Sequence, residues 1–271
     1  MPRLYKQLMD TSNSLSHTAK SGRNWLGLAS LAAGLLAWWT AARYSGLPSF
    51  ILPSPGQVWM RFLRALSDGS LFFHAGVTLS EILLGLLIGA LTATVLGYLV
   101  AKSRALERIL SPYLVASQAV PLVAIAPLLV IWFGPGIFSK ILICALIVFF
   151  PVLVNTVVGV RAVPTALHDL MRSLRATRRQ ILFKLEIPAS LPVFLGGLRI
   201  GATLSVIGAV VGELVGADMG LGFLINVGRG QYDTALVFVA IFTLVVLALS
   251  LYGLVAWAEK RLLSWQEAVE R

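Results

Sequence analysis

The chain has 271 residues, of which 58% are hydrophobic and only 13% are charged, and its mean hydropathy is +0.85. The charged fraction is about half that of an ordinary soluble domain, which excludes a soluble enzyme and predicts an all-α protein that crosses the membrane several times. The formal net charge is +10. Its basic residues lie between hydrophobic runs rather than along one face, which favours membrane topology over nucleic-acid binding.

Six apolar runs are long enough to cross the hydrocarbon core of a bilayer, which is about 30 Å thick. In chain order the predicted transmembrane helices are Trp25–Ala42, Val77–Val100, Leu110–Phe133, Ile137–Val160, Val193–Val215 and Ala235–Trp257. Pro112, Pro121 and Pro127 interrupt the third run, so we expect a broken or kinked helix there. Between the first two runs, Val58–Leu66 predicts a short amphipathic helix at the membrane surface.

The order of polar and apolar segments also predicts the topology. Residues 1–24 form a polar cytoplasmic tail, residues 25–265 the membrane domain, and residues 266–271 a second short tail. Six spans place both termini on one side, and most of the 22 Lys and Arg residues fall on segments of that side. Because basic loops stay in the cytoplasm, we expect both termini there.

The longest polar stretch in the second half, Ala166–Pro192, belongs to a predicted cytoplasmic loop, residues 161–192, which is called the basic segment below. It carries more basic than acidic residues, and its apolar residues recur from Leu170 to Leu185 at a nearly helical period. This pattern predicts one or two short amphipathic helices, which Pro188 and Pro192 then end.

Small residues recur along one side of the fifth predicted span. Gly201, Gly208 and Gly212 share one helix face, and glycine lets two helix backbones approach closely. We expect this face to form either a tight helix contact or the seam of a dimer.

Three polar side chains lie inside predicted spans, where contact with lipid would be costly. We expect Gln118, Asn155 and Glu213 to face a water-filled path through the bundle. Glu213 has a second interpretation, in which it pairs with Arg199, Glu81 or a polar group of a second copy.

The sequence carries none of the common patterns for catalysis or metal binding. The chain has no G-x-x-x-x-G-K-[ST] phosphate loop, no H-E-x-x-H, no G-x-S-x-G and no His/Cys cluster. Its one cysteine, Cys144, excludes a disulfide within the chain. We therefore expect no enzyme activity and no cofactor in this chain, and any use of ATP and Mg²⁺ then requires a partner subunit.

Several sequence blocks, in order, resemble one transporter family. They are LPSFILPSPGQV, VPLVAIAPLLVIWFGPGIFSK, LIVFFPVLVNTVVGVRAVP and IPASLPVFLGGLRIGATLSVIGAVVGELVGADMGLG. Over residues 47–265 the chain resembles the inner-membrane permease of binding-protein-dependent ABC importers, in the branch for nitrate, sulfonates and taurine. The segment from VIGAVVGELVG to LVFVAIF is more similar to permeases for thiamine precursors or riboflavin.

This resemblance implies a type I importer permease fold and a set of partners. The expected partners are a second, identical permease copy, two ABC ATPase subunits that bind ATP and Mg²⁺, and a periplasmic or lipid-anchored binding protein that delivers a small nutrient; nucleic acid is not among them. The implied location is the bacterial inner membrane.

In this family a cytoplasmic loop docks onto the ATPase through the pattern E-A-A, three residues, G, nine residues, I, one residue, L-P. The resemblance assigns ATPase coupling to the matching positions Asp169, Leu170, Met171, Arg175, Leu185 and Pro188, with Ala176 at the centre of the loop. Arg175 replaces the glycine that permits the turn between two short helices. The sequence leaves open whether the helix continues through Arg175 or whether this arginine contacts an acidic patch.

Two other classes of protein are consistent with six spans. An ion-coupled secondary transporter would need intramembrane acids placed for protons or sodium, and Glu81 and Glu213 lie toward helix ends. A structural or assembly protein would need no path at all. Co-purification of an ATPase subunit distinguishes the importer permease from both.

Overall fold

The computed structural model describes residue 27 and residues 29–264, and every regular element in this part of the chain is a helix. The predicted tails, residues 1–24 and 266–271, lie outside the described residues. The helices are α1 (29–44), α2 (Pro55–Ser67), α3 (Ser70–Lys102), α4 (Arg104–Ala119), α5 (Leu122–Phe133), α6 (Ile137–Arg161), α7 (Thr165–Ser173), α8 (Arg178–Ile181), α9 (Ile187–Gly216), α10 (Leu221–Gly230) and α11 (Thr234–Leu262).

The long apolar helices agree with the predicted spans. The helices α3, α6, α9 and α11 are each long and apolar enough to cross a membrane. The predicted third span is broken into α4 and α5, which meet at an angle of 95°. Pro121 has no amide hydrogen to donate, and it holds Val120 in an extended conformation, with ψ at 121°. The predicted break is therefore confirmed, and the described part of α1 covers most of the predicted first span.

The centre of the bundle is α6, which packs between α3 and α9. Small residues permit both contacts: a Cβ atom on Gly97 of α3 would lie 2.9 Å from Cβ of Thr156, and one on Gly197 of α9 would lie 2.5 Å from Cβ of Asn155. These distances are too short for any larger residue. The three helices therefore form one close-packed layer.

The glycine face of α9 takes part in this layer. Gly201, Gly208 and Gly212 are buried, and a Cβ atom on Gly208 would lie 3.0 Å from Cα of Cys144 in α6. A second copy has no access to this face. This corrects the expectation of a dimer seam here, because the space left by the glycines is filled by a helix of the same chain.

The short helix α2 begins at Pro55 rather than at Val58, where the apolar period starts. Ser54 and Gln57 form a reciprocal capping box, and Pro55 occupies the first helical position. Val58 is buried, and Arg61 forms an ion pair with Asp233, at 2.7 Å, immediately before α11. The predicted amphipathic helix is therefore present and is fixed to the last span.

Candidate functional site

The basic segment begins with α7, which ends in a left-handed turn. The Ala176 amide donates to the carbonyl oxygen of Met171, and the Arg175 amide donates to that of Arg172, both at 2.9 Å. This pair of bonds is a Schellman motif, and it requires the left-handed conformation that Arg175 adopts, with φ at 54°. The helix does not continue through Arg175. The turn usually made by glycine is present with arginine in its place.

The α7 helix leaves an apolar face uncovered. Leu167, Leu170 and Leu174 share this face, and their exposed fractions are 40%, 54% and 69%. Beside them the Asp169 carboxylate pairs with Arg172, at 3.4 Å, and both side chains are largely exposed. An exposed pair of this kind contributes little stability. This surface of the chain is therefore available for contact with another protein.

After the turn, a single helical body leads from the basic segment into the membrane. Thr177 caps α8, and α8 passes through a π-helical turn, Leu182–Glu186, directly into α9. The Ile187 amide reaches back five residues to the carbonyl oxygen of Leu182. The prediction that Pro188 ends the helix is thus wrong, because the wider turn accommodates a residue that has no amide hydrogen and would crowd a regular helix. Pro192, also predicted to end it, lies inside α9.

A buried glutamate in the π-helical turn joins the basic segment to α3. Glu186 is 2% exposed, and it accepts hydrogen bonds from the Tyr98 hydroxyl at 2.9 Å and from Lys102. The ring of His168, on α7, lies with Nε2 3.0 Å from the same carboxylate. Sequence reasoning missed this residue. The available signal was a carboxylate between apolar Leu185 and Ile187, at the start of a membrane span.

The three polar residues predicted to face a water-filled path lie in different surroundings. Gln118 is exposed at the end of α4, next to the break. Asn155 is half-buried: its Nδ2 donates to the carbonyl oxygen of Pro151 within α6 at 2.8 Å, and its side chain lies against Gly197 of α9. Glu213 is fully buried among residues of its own chain, which corrects its expected place on the path.

The expected pairing of Arg199 with an intramembrane glutamate is also corrected. Arg199 forms an ion pair with Glu259 of α11 and lies over the ring of Tyr252. Glu213 lies instead against Glu81 of α3, the other partner expected for it, and the two side chains share a hydrogen bond. It also accepts hydrogen bonds from the Thr78 hydroxyl at 2.6 Å and from the Gly222 amide at 2.5 Å. Within residues 27 and 29–264, no group of three or more His, Cys, Asp or Glu side chains is placed to hold a metal ion.

A protein-family model described as "Binding-protein-dependent transport system inner membrane component" matches residues 85–264, which is more than half of the chain. The chain belongs to this family. It is a multi-pass inner-membrane permease of an ABC importer, as the family and its members show. This assignment favours an ATP-driven importer over an ion-coupled secondary transporter.

Curated relatives support the same assignment over nearly the whole chain. The chain is 48% identical to the riboflavin transport system permease protein RibX of Chloroflexus aurantiacus, over 89% of this chain and 90% of that protein. It is 39% identical to the formylaminopyrimidine transport permease protein ThiX of Halalkalibacterium halodurans, over 86% and 92%. It is 34% identical to the taurine transport system permease protein TauC of Escherichia coli, over 90% and 91%.

Solved structures show that the fold is shared. The chain is similar to one in an inward-facing structure of the MetNI methionine ABC transporter, with a TM-score of 0.61 and 19% identity, over 70% of this chain and 94% of that chain. The expected all-α type I importer permease fold is confirmed.

Proposed function

We propose that two copies of this permease associate with two ABC ATPase subunits and take up a flat heterocyclic nutrient of the riboflavin or pyrimidine type. A periplasmic or lipid-anchored binding protein delivers the nutrient, and both permease termini lie in the cytoplasm. The observation that carries the substrate class is the order of identities: 48% to the riboflavin permease, 39% to the formylaminopyrimidine permease and 34% to the taurine permease, at nearly equal coverage.

Reconstituted uptake tests the substrate. The permease, its ATPase and its binding protein are placed in proteoliposomes, and ATP-dependent accumulation of riboflavin, formylaminopyrimidine and taurine is measured. We expect accumulation of riboflavin or of the pyrimidine, without taurine uptake. Taurine as the preferred substrate would overturn the substrate class, and uptake driven by a proton gradient without ATP would overturn the importer mechanism.

Docking of the ATPase is proposed for the uncovered face of α7. Asp169 and Leu170 are exposed there, and neither supports the fold of this chain by a buried contact. Apolar surface uncovered in one chain and rimmed by polar residues marks an interaction site. The position agrees with the coupling pattern aligned on Pro188.

Two variants test this docking. Asp169→Ala and Leu170→Asp should leave membrane levels unchanged and lower the affinity for the ATPase, because an unpaired charge at an interface costs about 2–5 kcal/mol. Asp218→Ala is the matched control, since Asp218 is an exposed acid in the connection between α9 and α10. Wild-type ATPase binding in both α7 variants would contradict the docking proposal. The charge of the basic segment would then serve only to orient the protein in the membrane.

A further inference from the structure

The short helix α10 is held into the bundle by backbone amides at its start. The Gly220 amide donates to Nδ1 of His74 at 3.0 Å, and the Leu221 amide donates to the Thr78 hydroxyl at 2.8 Å. The Gly222 amide donates to Glu213. Two of these acceptors come from α3 and the third comes from α9, so the start of α10 is fixed to two membrane helices at once.

Glu213 is at the centre of this contact. Its second oxygen accepts from Thr78, so the carboxylate joins α3, α9 and α10 in one buried network. Any side chain on Gly220 would overlap this carboxylate, and a Cβ atom on Gly222 would lie 2.9 Å from its Oε2. Gly220 also has φ at 107°, a conformation that glycine alone adopts readily. The glycines therefore leave room for the carboxylate.

The helix α10 is too short to cross the membrane, so it depends on contacts with its neighbours for its position. Its 10 residues span about 15 Å at 1.5 Å per residue, which is half of the hydrocarbon core. The helix thus joins α9 to α11 without crossing the membrane. The Glu213 network fixes its first turn, and its apolar residues Leu221 and Leu224 pack into the core of the bundle.

The other end of the helix that carries Glu213 lies in the basic segment. The helical body from Arg178 to Gly216 has 39 residues, or roughly 58 Å of helix. Glu186, near its first turns, contacts α3 and α7, whereas Glu213, near its last turn, contacts α3 and α10. A displacement of α7 can therefore reach α10 through one continuous element.

We propose that Glu213 is a positioning residue that fixes α10 to this helix, so that movement of the basic segment opens and closes the path at the α10 end. This inference rests on the proposed function, because α10 can gate a path only if the chain forms one. The carboxylate acts through α10 and does not contact the nutrient. Through α10, the carboxylate couples movement of the basic segment, where the ATPase docks, to opening of the path at the end that carries α10.

The experiment compares Glu213→Gln with the control Asp218→Asn in the reconstituted complex. Asp218 lies in the connection between α9 and α10 and is exposed. Glu213→Gln keeps the shape but loses charge-assisted hydrogen bonding, so we expect about a tenfold fall in uptake with ATP hydrolysis continuing. A spin label at Arg229→Cys in a Cys144→Ala background should become more mobile in Glu213→Gln, whereas Asp218→Asn should change neither measurement.

A second pair of variants keeps the test valid if Glu213→Gln does not assemble. Thr78→Val removes the hydroxyl with little change in volume and should reproduce the loss of coupling, while Thr78→Ser should restore it. Wild-type uptake and spin-label mobility in Glu213→Gln, or in Thr78→Val if Glu213→Gln does not assemble, would overturn the positioning role. Absence of ATP-dependent uptake in the wild-type complex would instead overturn the proposed function.

Discussion

Replacing Glu186 by glutamine tests whether the buried carboxylate stabilises the junction between the basic segment and the membrane domain. The change preserves volume, but it removes the charge and turns one acceptor oxygen into a donor. The Lys102 side chain is 41% exposed, so water can replace most of its interaction with Glu186. Loss of this ion pair therefore adds little to the change in the free energy of unfolding. The hydrogen bonds from Tyr98 and His168 to Glu186 are better shielded from water than the Lys102 ion pair. Hydrogen bonds to a charged group contribute about 1.5–3 kcal/mol against about 0.5–1.5 for neutral ones, so losing the charge at two bonds costs roughly 2–3 kcal/mol.

Thermal unfolding of the purified permease in detergent measures this cost. At about 2–4 °C per kcal/mol for a chain of this size, the melting temperature should fall by roughly 4–12 °C. The matched control is Glu107→Gln, because Glu107 also binds a cation, Arg161, at 2.7 Å, but both side chains are at least about a third exposed. We expect a clearly smaller shift for this surface pair. Equal shifts in the two variants would refute the argument that burial makes Glu186 different.

The backbone, the packing and the exposure of the helices give three more predictions. Arg175→Val should lower the melting temperature by about 2–4 °C, because a β-branched residue resists the left-handed conformation, whereas Arg175→Gly should not lower it. Gly208→Leu should reduce the yield of folded protein in size-exclusion chromatography, since a Cβ atom there meets the α6 backbone; Gly196→Leu, where a Cβ atom would meet nothing within 4 Å, should not. In a Cys144→Ala background, a water-soluble maleimide should label Gln118→Cys but not Val246→Cys on the exposed face of α11; equal labelling would remove Gln118 from the path.

Local sequence patterns were sufficient to predict the membrane helices and the break between α4 and α5. Apolar runs of about 20 residues identify spans because the bilayer has a fixed thickness. Pro121 predicts the break between α4 and α5 because proline lacks an amide hydrogen and restricts the residue before it. Each of these effects depends only on neighbouring residues, so each can be predicted from the sequence.

The placement of the buried charges was decided by tertiary structure alone. Glu186 meets Lys102 across 84 positions in the chain, and Glu213 meets Thr78 across 135. The glycine face of α9 was equally suited to a second copy or to a neighbouring helix, and only the path of the chain places α6 against it. Hydrogen bonds between distant residues leave no periodic pattern, because their partners are brought together by the packing of whole helices.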